Sequence, residues 1–281
     1  MDIYYVNGRF VSEQEASISV KDLAVLRGYG VFDFLRTYQK KPFHLDDHLL
    51  RLERSARLIN LALPMELERI RAVVLETLSK NDHSESGIRI VVTGGVSADG
   101  ITPPGNSQLL VMVTPARPMP EHWYRQGTKV ITQYMQRLVP LAKSINYIPG
   151  ILCLEEARQQ DAIESLYVDA HGNVLEGTTS NFFGFMDGVL VTPGVGVLAG
   201  ITRKVVLDLS REVFPVSVRS IHRDEIRMLD EAFITASNKE VVPVVQIDGV
   251  TLSDGRPGPG TLRVMECFRR YTDAWPQLDL I

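Results

Sequence analysis

The sequence predicts two α/β domains, each built on a mixed sheet. Three observations carry this reading. Strand-like and helix-like stretches alternate along the 281 residues. That length suits one large or two medium domains with proper cores. A proline-rich segment of little apolar periodicity, Thr114 to Gly127 (TPARPMPEHWYRQG), interrupts the chain. The expected division is a small N-terminal domain over 1–115, a linker over 116–126, and a larger C-terminal domain over 127–281 that carries Lys143.

In chain order, Ile3–Val6 and Arg9–Val11 flank Asn7-Gly8, a dipeptide that favours positive φ at both turn positions and so a hairpin. Gly28 and Gly30 permit a tight turn before a strand over Val31–Tyr38. His44–Leu63 reads as a helix because Leu45, Leu49, Leu52, Ala56 and Ile59 recur at three- and four-residue steps. A second amphipathic helix follows over Glu66–Asn81. Gly87–Thr93 and Gln108–Thr114 read as strands around a Gly/Pro-rich loop, GGVSADGITPPGNS, long enough for a functional lid. Beyond the linker come a strand over Lys129–Tyr134, a helix over Ile148–Gln159 and a strand over Ser165–Asp169. Asn181–Met186 and Val189–Thr192 form a hairpin across Asp187-Gly188. Gly200–Phe214 is expected to be helical, Val216–Ile221 a strand and His222–Leu229 a short helix. Strands over Glu231–Ala236 and Val241–Ile247, a turn at Asp248-Gly249 and a helix over Gly260–Ala274 complete the chain.

Composition narrows the class. Apolar residues make up 44% and charged residues 23%, ordinary for a globular enzyme or binding protein. A formal charge of −4 gives no reason to expect nucleic acid or an anionic membrane as partner. Two cysteines, Cys153 and Cys267, are too few for a disulfide framework and fit a reducing compartment. MDIYYVNGRF shows no secretory pattern. The longest apolar stretch, Val189 to Ile201, is broken by Thr192, Pro193 and several glycines. The expectation is a cytoplasmic protein, and no metal site is assigned.

Chemistry concentrates between Leu141 and Gly184. Lys143 stands in apolar surroundings, where the cation is costly and the neutral amine becomes available to form an imine; a Lys snorkelling from a strand end is the other reading. Glu176, in an EGTTSN turn, is either an exposed turn carboxylate or the group that keeps a pyridine nitrogen protonated, so that the ring can store charge. Tyr147 could set its hydroxyl on a cofactor's phenolic oxygen, or be a half-buried aromatic with a polar tip. In LAGITR, a glycine leads into a helix whose first turn holds Ile201 and Thr202, the pattern of a phosphate site. ITASNKE offers Ala236 and Ser237 at a second turn. In HLLRLERSA, Arg51 suits a phosphate because its fork is bidentate, while Arg54 and Arg57 suit a solvated face.

Together these segments resemble the class IV (fold-type IV) pyridoxal-phosphate enzymes, which include branched-chain and D-amino-acid aminotransferases, aminodeoxychorismate lyase and R-selective amine transaminases. VFDFLRT, HLLRLERSA, the KSINY…EEA…EG..SN block, LAGITR and ITASNKEVVPV carry the resemblance, in order, from about Asn7 to Ile247. The resemblance implies that Lys143 bonds pyridoxal 5'-phosphate and shuttles a proton, and that Glu176 pairs with the pyridine nitrogen. It implies that Arg51, Ile201, Thr202 and Ser237 hold the phosphate and that Tyr147 lies near the ring oxygen. It further implies a small N-terminal and a larger C-terminal α/β domain, the cofactor between them, and a homodimer.

The substrate is less defined. LRGYGVFDF has Arg27 at its turn and Phe34 where branched-chain enzymes carry a small glycine, and Gly94 stands where D-amino-acid enzymes place an Arg. Arg27, Arg89 and Lys239 are therefore candidates for a carboxylate, each alternatively a surface or interface charge. Strand alternation puts Phe32, Phe34 and Arg36 on one face, an apolar and cationic pocket. The leading expectation is a ping-pong aminotransferase moving an amino group between a D- or branched-chain amino acid and a 2-oxo acid such as 2-oxoglutarate. A lyase of the aminodeoxychorismate type is the alternative, and a non-catalytic phosphate-ligand binding protein a third.

Overall fold

A computed structural model describes residues 1–278. They form two compact units, one of 1–117 and 141–147, the other of 118–140 and 148–275, with the last residues of the closing helix grouped with the first.

The first unit contains β1 (Ile3–Val6), β2 (Arg9–Ser12), α1 (Leu23–Arg27), β3 (Gly30–Tyr38), β4 (Lys41–Pro42), α2 (Leu45–Leu58), α3 (Leu67–Ser79), β5 (Ser86–Thr93) and β6 (Gln108–Pro115). Its strands make one antiparallel sheet in the order β2-β1-β6-β5-β3-β4. The expected hairpins, strands and both long helices are present, with shifted ends. Alternation decides which side chains face the helices: Ile88, Ile90 and Val92 on β5 and Leu109, Val111 and Val113 on β6 are fully buried. They meet Leu49, Leu52 and Ala56 of α2 and Ile70, Val73 and Val74 of α3. Burying one such leucine contributes about 1.5–3 kcal/mol.

Where the helix expected over His44–Leu63 ends, chemistry explains the stop. Asn60 takes a left-handed φ of 55°, and the Tyr29 hydroxyl donates to the Ile59 and Asn60 carbonyls at 3.0 and 3.1 Å. Helix α1 is an addition to the sequence reading. Asp22 caps it, accepting from the Ala24 N–H at 2.8 Å while Thr93 Oγ1 donates to its other oxygen at 2.7 Å. The loop between β5 and β6 is knit around Asp99, which accepts from the Ile101 and Thr102 amides and from Thr102 Oγ1.

The second unit contains α4 (Glu121–Gln126), β7 (Thr128–Tyr134), α5 (Ile148–Gln159), β8 (Glu164–Val168), β9 (Asn173–Gly177), β10 (Asn181–Met186), β11 (Val189–Thr192), α6 (Ile201–Ser210), β12 (Val216–Val218), β13 (Ile221–His222), a 3-10 turn (Arg223–Met228), β14 (Glu231–Ala236), β15 (Glu240–Ile247), β16 (Val250–Thr251) and α7 (Pro259–Leu278). The sheet runs β12-β11-β10-β14-β15-β7-β8-β9-β13. A further pairing, Asn181 with Glu176, joins β10 to β9 and closes six strands into a ring. Phe182, Phe183 and Phe233 are fully buried, and Phe183 stacks on Phe233 with ring centroids 4.8 Å apart.

Three expectations shift here. The proline-rich stretch is not a bare linker: Trp123 and Tyr124 of α4 pack against this unit's core. The strand expected over Val216–Ile221 is split, because Val216–Val218 runs parallel to β11 while Ile221–His222 pairs with β9 at the other end of the sheet. Lys143 lies in the segment that groups with the N-terminal residues rather than in the body of the C-terminal unit. No helix of the described residues is long and apolar enough to cross a membrane.

Candidate active site

In the first unit, Lys143 is fixed by its backbone. The Lys143 carbonyl accepts from the Phe32 N–H at 2.9 Å, the Ile145 N–H donates to the Gly30 carbonyl at 3.1 Å, and Val31 bridges to Ser144. Ser55 Oγ of α2 accepts from the Lys143 N–H at 3.0 Å. This close approach explains Gly30: a Cβ there would stand 2.7 Å from the Val92 carbonyl oxygen and 2.9 Å from Ile145 Cδ1.

The half-buried Lys143 side chain places Nζ 4.6 Å from the Phe32 ring centroid. Arg89 brings Cζ to 5.1 Å from the same ring and 5.4 Å from Phe34. Tyr147 meets Phe32 edge-on at 5.7 Å. Lys143, Tyr147, Arg89, Phe32 and Phe34 thus form one group, with two cations sharing a π surface. Burial lowers the proton affinity of Arg89, with Tyr147 acting the other way. Arg27 is exposed at the end of α1, where its Nη1 donates to the Leu26 carbonyl at 2.8 Å. Arg36 turns over the Tyr38 ring at 4.6 Å instead of joining this group.

Arg51 is buried on α2, and its fork is already engaged. Nε and Nη2 donate to the two oxygens of Asp33 at 2.9 and 2.7 Å. His48 Nδ1 lies 2.6 Å from Asp33 Oδ1. Burial pushes the Asp33 carboxyl up, but Arg51 and His48 outweigh it and hold the group well below the ordinary carboxylate range. Burial also lowers the proton affinity of His48, against the pull of Asp33. A neutral ring facing a carboxylate must carry its proton on Nδ1. That leaves buried Nε2 as an acceptor, and no partner for it stands among the described residues.

In the second unit, Glu176 is the penultimate residue of β9 and is 4% exposed. Its Oε1 accepts from Arg137 Nε at 3.1 Å and from Arg137 Nη2; its Oε2 accepts from the Leu198 N–H at 2.9 Å and Asn181 Nδ2 at 3.2 Å. Asn181 Nδ2 also reaches the Leu198 carbonyl at 2.9 Å. The reading of Glu176 as an exposed turn carboxylate therefore fails.

The neighbouring turn is organised by a second buried carboxylate, Glu164. It accepts from Thr178, Thr179 and Ser180 hydroxyls and from Lys239 Nζ at 2.9 Å. Lys239 also donates to Thr179 Oγ1 at 2.6 Å, and its backbone carbonyl accepts from the Tyr124 hydroxyl. Lys239 is thus a buried ion-pair partner that ties the β14–β15 turn to the β9–β10 turn. Half-buried Ala236 and Ser237 occupy the same turn as Lys239. Next to them the buried Thr235 Oγ1 has no partner among the described residues.

Ile201 and Thr202 are buried in the first turn of α6, whose N-cap, Gly200, supplies no side-chain acceptor to the leading N–H groups. In this unit, uncapped N–H groups and the Thr202 and Ser237 hydroxyls are donor types that suit a phosphate, as is the arginine of the first unit taken by itself. Taken each in its own unit, a buried carboxylate held by N–H donors and a lysine amine are the groups that suit the ring nitrogen and the carbonyl of a pyridine cofactor. The residues present fit such a group. Among the described residues, no cluster of three or more His, Cys, Asp and Glu could hold a metal.

Sequence reasoning missed Asp33, His48, Arg137 and Glu164. His48 was visible only as spacing from Arg51, and Arg137 only as one charge before Pro140. Nothing in local pattern marks a charged residue as buried.

Comparison with known proteins gives the family. The family model for amino-transferase class IV matches residues 30–247, and the chain belongs to that family. It is 36% identical over 279 residues, 96% of each chain, to a Methanocaldococcus jannaschii protein provisionally named a branched-chain-amino-acid aminotransferase. It is 31% identical to a D-alanine aminotransferase of Listeria monocytogenes, covering 94% of this chain and 93% of that one. Among solved structures, the T.th. branched-chain amino acid aminotransferase with pyridoxamine 5'-phosphate matches with a TM-score of 0.91 at 30% identity, over 96% of this chain and 94% of that one. The Escherichia coli branched-chain enzyme matches with a TM-score of 0.90 at 27% identity and the same coverage. The fold is that of the fold-type IV aminotransferases, and the chain is an aminotransferase of class IV.

Proposed function

We propose that this aminotransferase uses pyridoxal 5'-phosphate bound through Lys143, and that it exchanges amino groups between a D- or branched-chain amino acid and a 2-oxo acid such as 2-oxoglutarate. The observation that carries the reading is the pairing of chemistries: an amine on an aromatic face beside Arg89, and a buried Glu176 held by N–H donors. When bound, the cofactor supplies a carbonyl to bond amino groups and a ring to store electrons. Lys143 Nζ would bond it between turnovers and, once displaced by substrate, move the α-proton. Glu176 would meet the ring nitrogen. Arg51, Ile201, Thr202, Ala236 and Ser237 would hold the phosphate, with Tyr147 beside the ring oxygen.

For the substrate carboxylate, the geometry favours Arg89 over Arg27 and Lys239. Arg89 shares the Phe32 ring with Lys143, whereas Arg27 is exposed and Lys239 is paired with Glu164. Phe32 and Phe34 would line the apolar side. A charge-assisted bond contributes about 1.5–3 kcal/mol, so Arg89→Met should raise the KM of amino donor and oxo acid by roughly 10- to 100-fold. Its cofactor content should be unchanged. A panel of D- and L-amino acids against 2-oxoglutarate and pyruvate measures this and fixes donor stereochemistry. Unchanged KM values would remove Arg89 from the site. The reading includes a cytoplasmic homodimer, which light scattering would show as twice the 31.4 kDa chain mass.

A further inference from the structure

We propose that Arg137 is a positioning residue that holds Glu176 ionised, so that the proton shared with a pyridine nitrogen sits on that nitrogen. The inference rests on the reading of Glu176 as the ring-nitrogen partner and adds what sets its charge.

Glu176 is nearly inaccessible to water, and burial by itself favours the neutral acid. Its surroundings oppose that. Arg137 Nε and Nη2, the Leu198 amide and Asn181 Nδ2 all point N–H groups at the two oxygens. Such donors stabilise a carboxylate, and a protonated carboxyl would have to turn its O–H into one of them. Among these four, Arg137 alone brings a full charge. The guanidinium is itself anchored, since Nη2 also donates to the Pro140 carbonyl. Arg203 reinforces the field from farther off. Its Nε and Nη2 point at Thr192 Oγ1 (3.4 Å) and the Pro193 carbonyl (2.8 Å), so its charge reaches Glu176 through space. Burial weakens Arg203's hold on its proton and Glu176 strengthens it.

A carboxylate and a pyridine that share one proton divide it by relative basicity. Arg137 makes the carboxylate the weaker base, which leaves the proton on nitrogen. Without Arg137, Oε1 loses its cationic partner in a buried site, its proton affinity rises, and the proton shifts toward Glu176.

The test is 15N NMR at pH 8 of the holoenzyme loaded with pyridoxal 5'-phosphate labelled at the ring nitrogen. Wild type should show the pyridinium shift. Arg137→Gln should lower the ratio of protonated to neutral nitrogen at least tenfold, and Arg137→Lys, which keeps the charge, should restore it. Arg137→Met is a second charge-free variant should the first not fold, with thermal melts confirming the fold of each. A pyridinium shift retained in a folded charge-free variant overturns the role of Arg137. Glu176→Gln tests the underlying reading separately: if it too keeps the pyridinium shift, Glu176 is not the nitrogen's partner.

Discussion

Asp33→Asn should destabilise the protein far more than loss of a surface ion pair, and the structure gives the size. Asp33 is fully buried, and its two oxygens accept Arg51 Nε and Nη2 at 2.9 and 2.7 Å, with His48 Nδ1 at 2.6 Å. Replacing the carboxylate with an amide leaves the buried Arg51 cation without its counter-charge. Breaking one side of a buried pair costs about 3–5 kcal/mol. At about 2–4 °C per kcal/mol for a chain of this size, Tm should fall by about 6–20 °C. The control is Lys40→Ala. Lys40 and Asp82 lie 2.8 Å apart but are 65% and 95% exposed, so solvent screens the pair and its loss should leave Tm nearly unchanged. Thermal and urea denaturation of the two variants beside wild type measure the contrast. If Asp33→Asn loses less than about 1 kcal/mol, the buried network does not support this unit as argued.

Three further outcomes follow from the geometry. Burial lowers the proton affinity of His48, so below about pH 6.5 the unfolded chain takes up a proton more readily than the folded chain, and stability falls as pH falls. In His48→Gln the urea midpoint should decline less steeply from pH 6.5 to 5; an unchanged slope would show that His48 is not the titrating group. In Gly200→Ala, the new Cβ would collide with Asn181 Oδ1, forcing Asn181 away from Glu176 and the Leu198 carbonyl. Equilibrium dialysis should then show pyridoxal 5'-phosphate bound at least about tenfold more weakly, with a stability loss of about 1–3 kcal/mol. Lys239→Met uncovers the buried Glu164 carboxylate and should cost about 3–5 kcal/mol in urea denaturation with amino-acid KM values unchanged; a selective KM increase in a stable variant would instead make Lys239 a substrate residue.

Much of the fold was legible because short-range chemistry decides it. The hairpin dipeptides Asn7-Gly8, Asp187-Gly188 and Asp248-Gly249 all adopt positive φ at both positions. The helix over Ile148–Gln159 and the strands over Asn181–Met186, Val189–Thr192 and Glu231–Ala236 have the limits read from sequence. Helices α1 and α4 were not legible. Five- and six-residue helices have too few turns to show periodicity, and one begins beside prolines. Strand β9 was hidden because its burial on both faces erases alternation. The proposed site residues could be named from their segments, but their partners could not. Arg51 reads as a fork for phosphate until Asp33, 18 residues earlier, takes one edge of it. Lys239 reads as an available cation until Glu164, 75 residues earlier, is found against it. Such pairings depend on register and packing over long sequence separations.

The most direct test of the account is to find where the cofactor bonds. Pyridoxal 5'-phosphate-loaded protein is reduced with borohydride, which fixes a carbon–nitrogen double bond as a stable amine, and is then digested with trypsin and mapped by mass. One adduct is expected, on Lys143, in a peptide running from Leu138 to Arg158 and uncut at Lys143. An adduct on Lys239 or another lysine, or none at all, would contradict it.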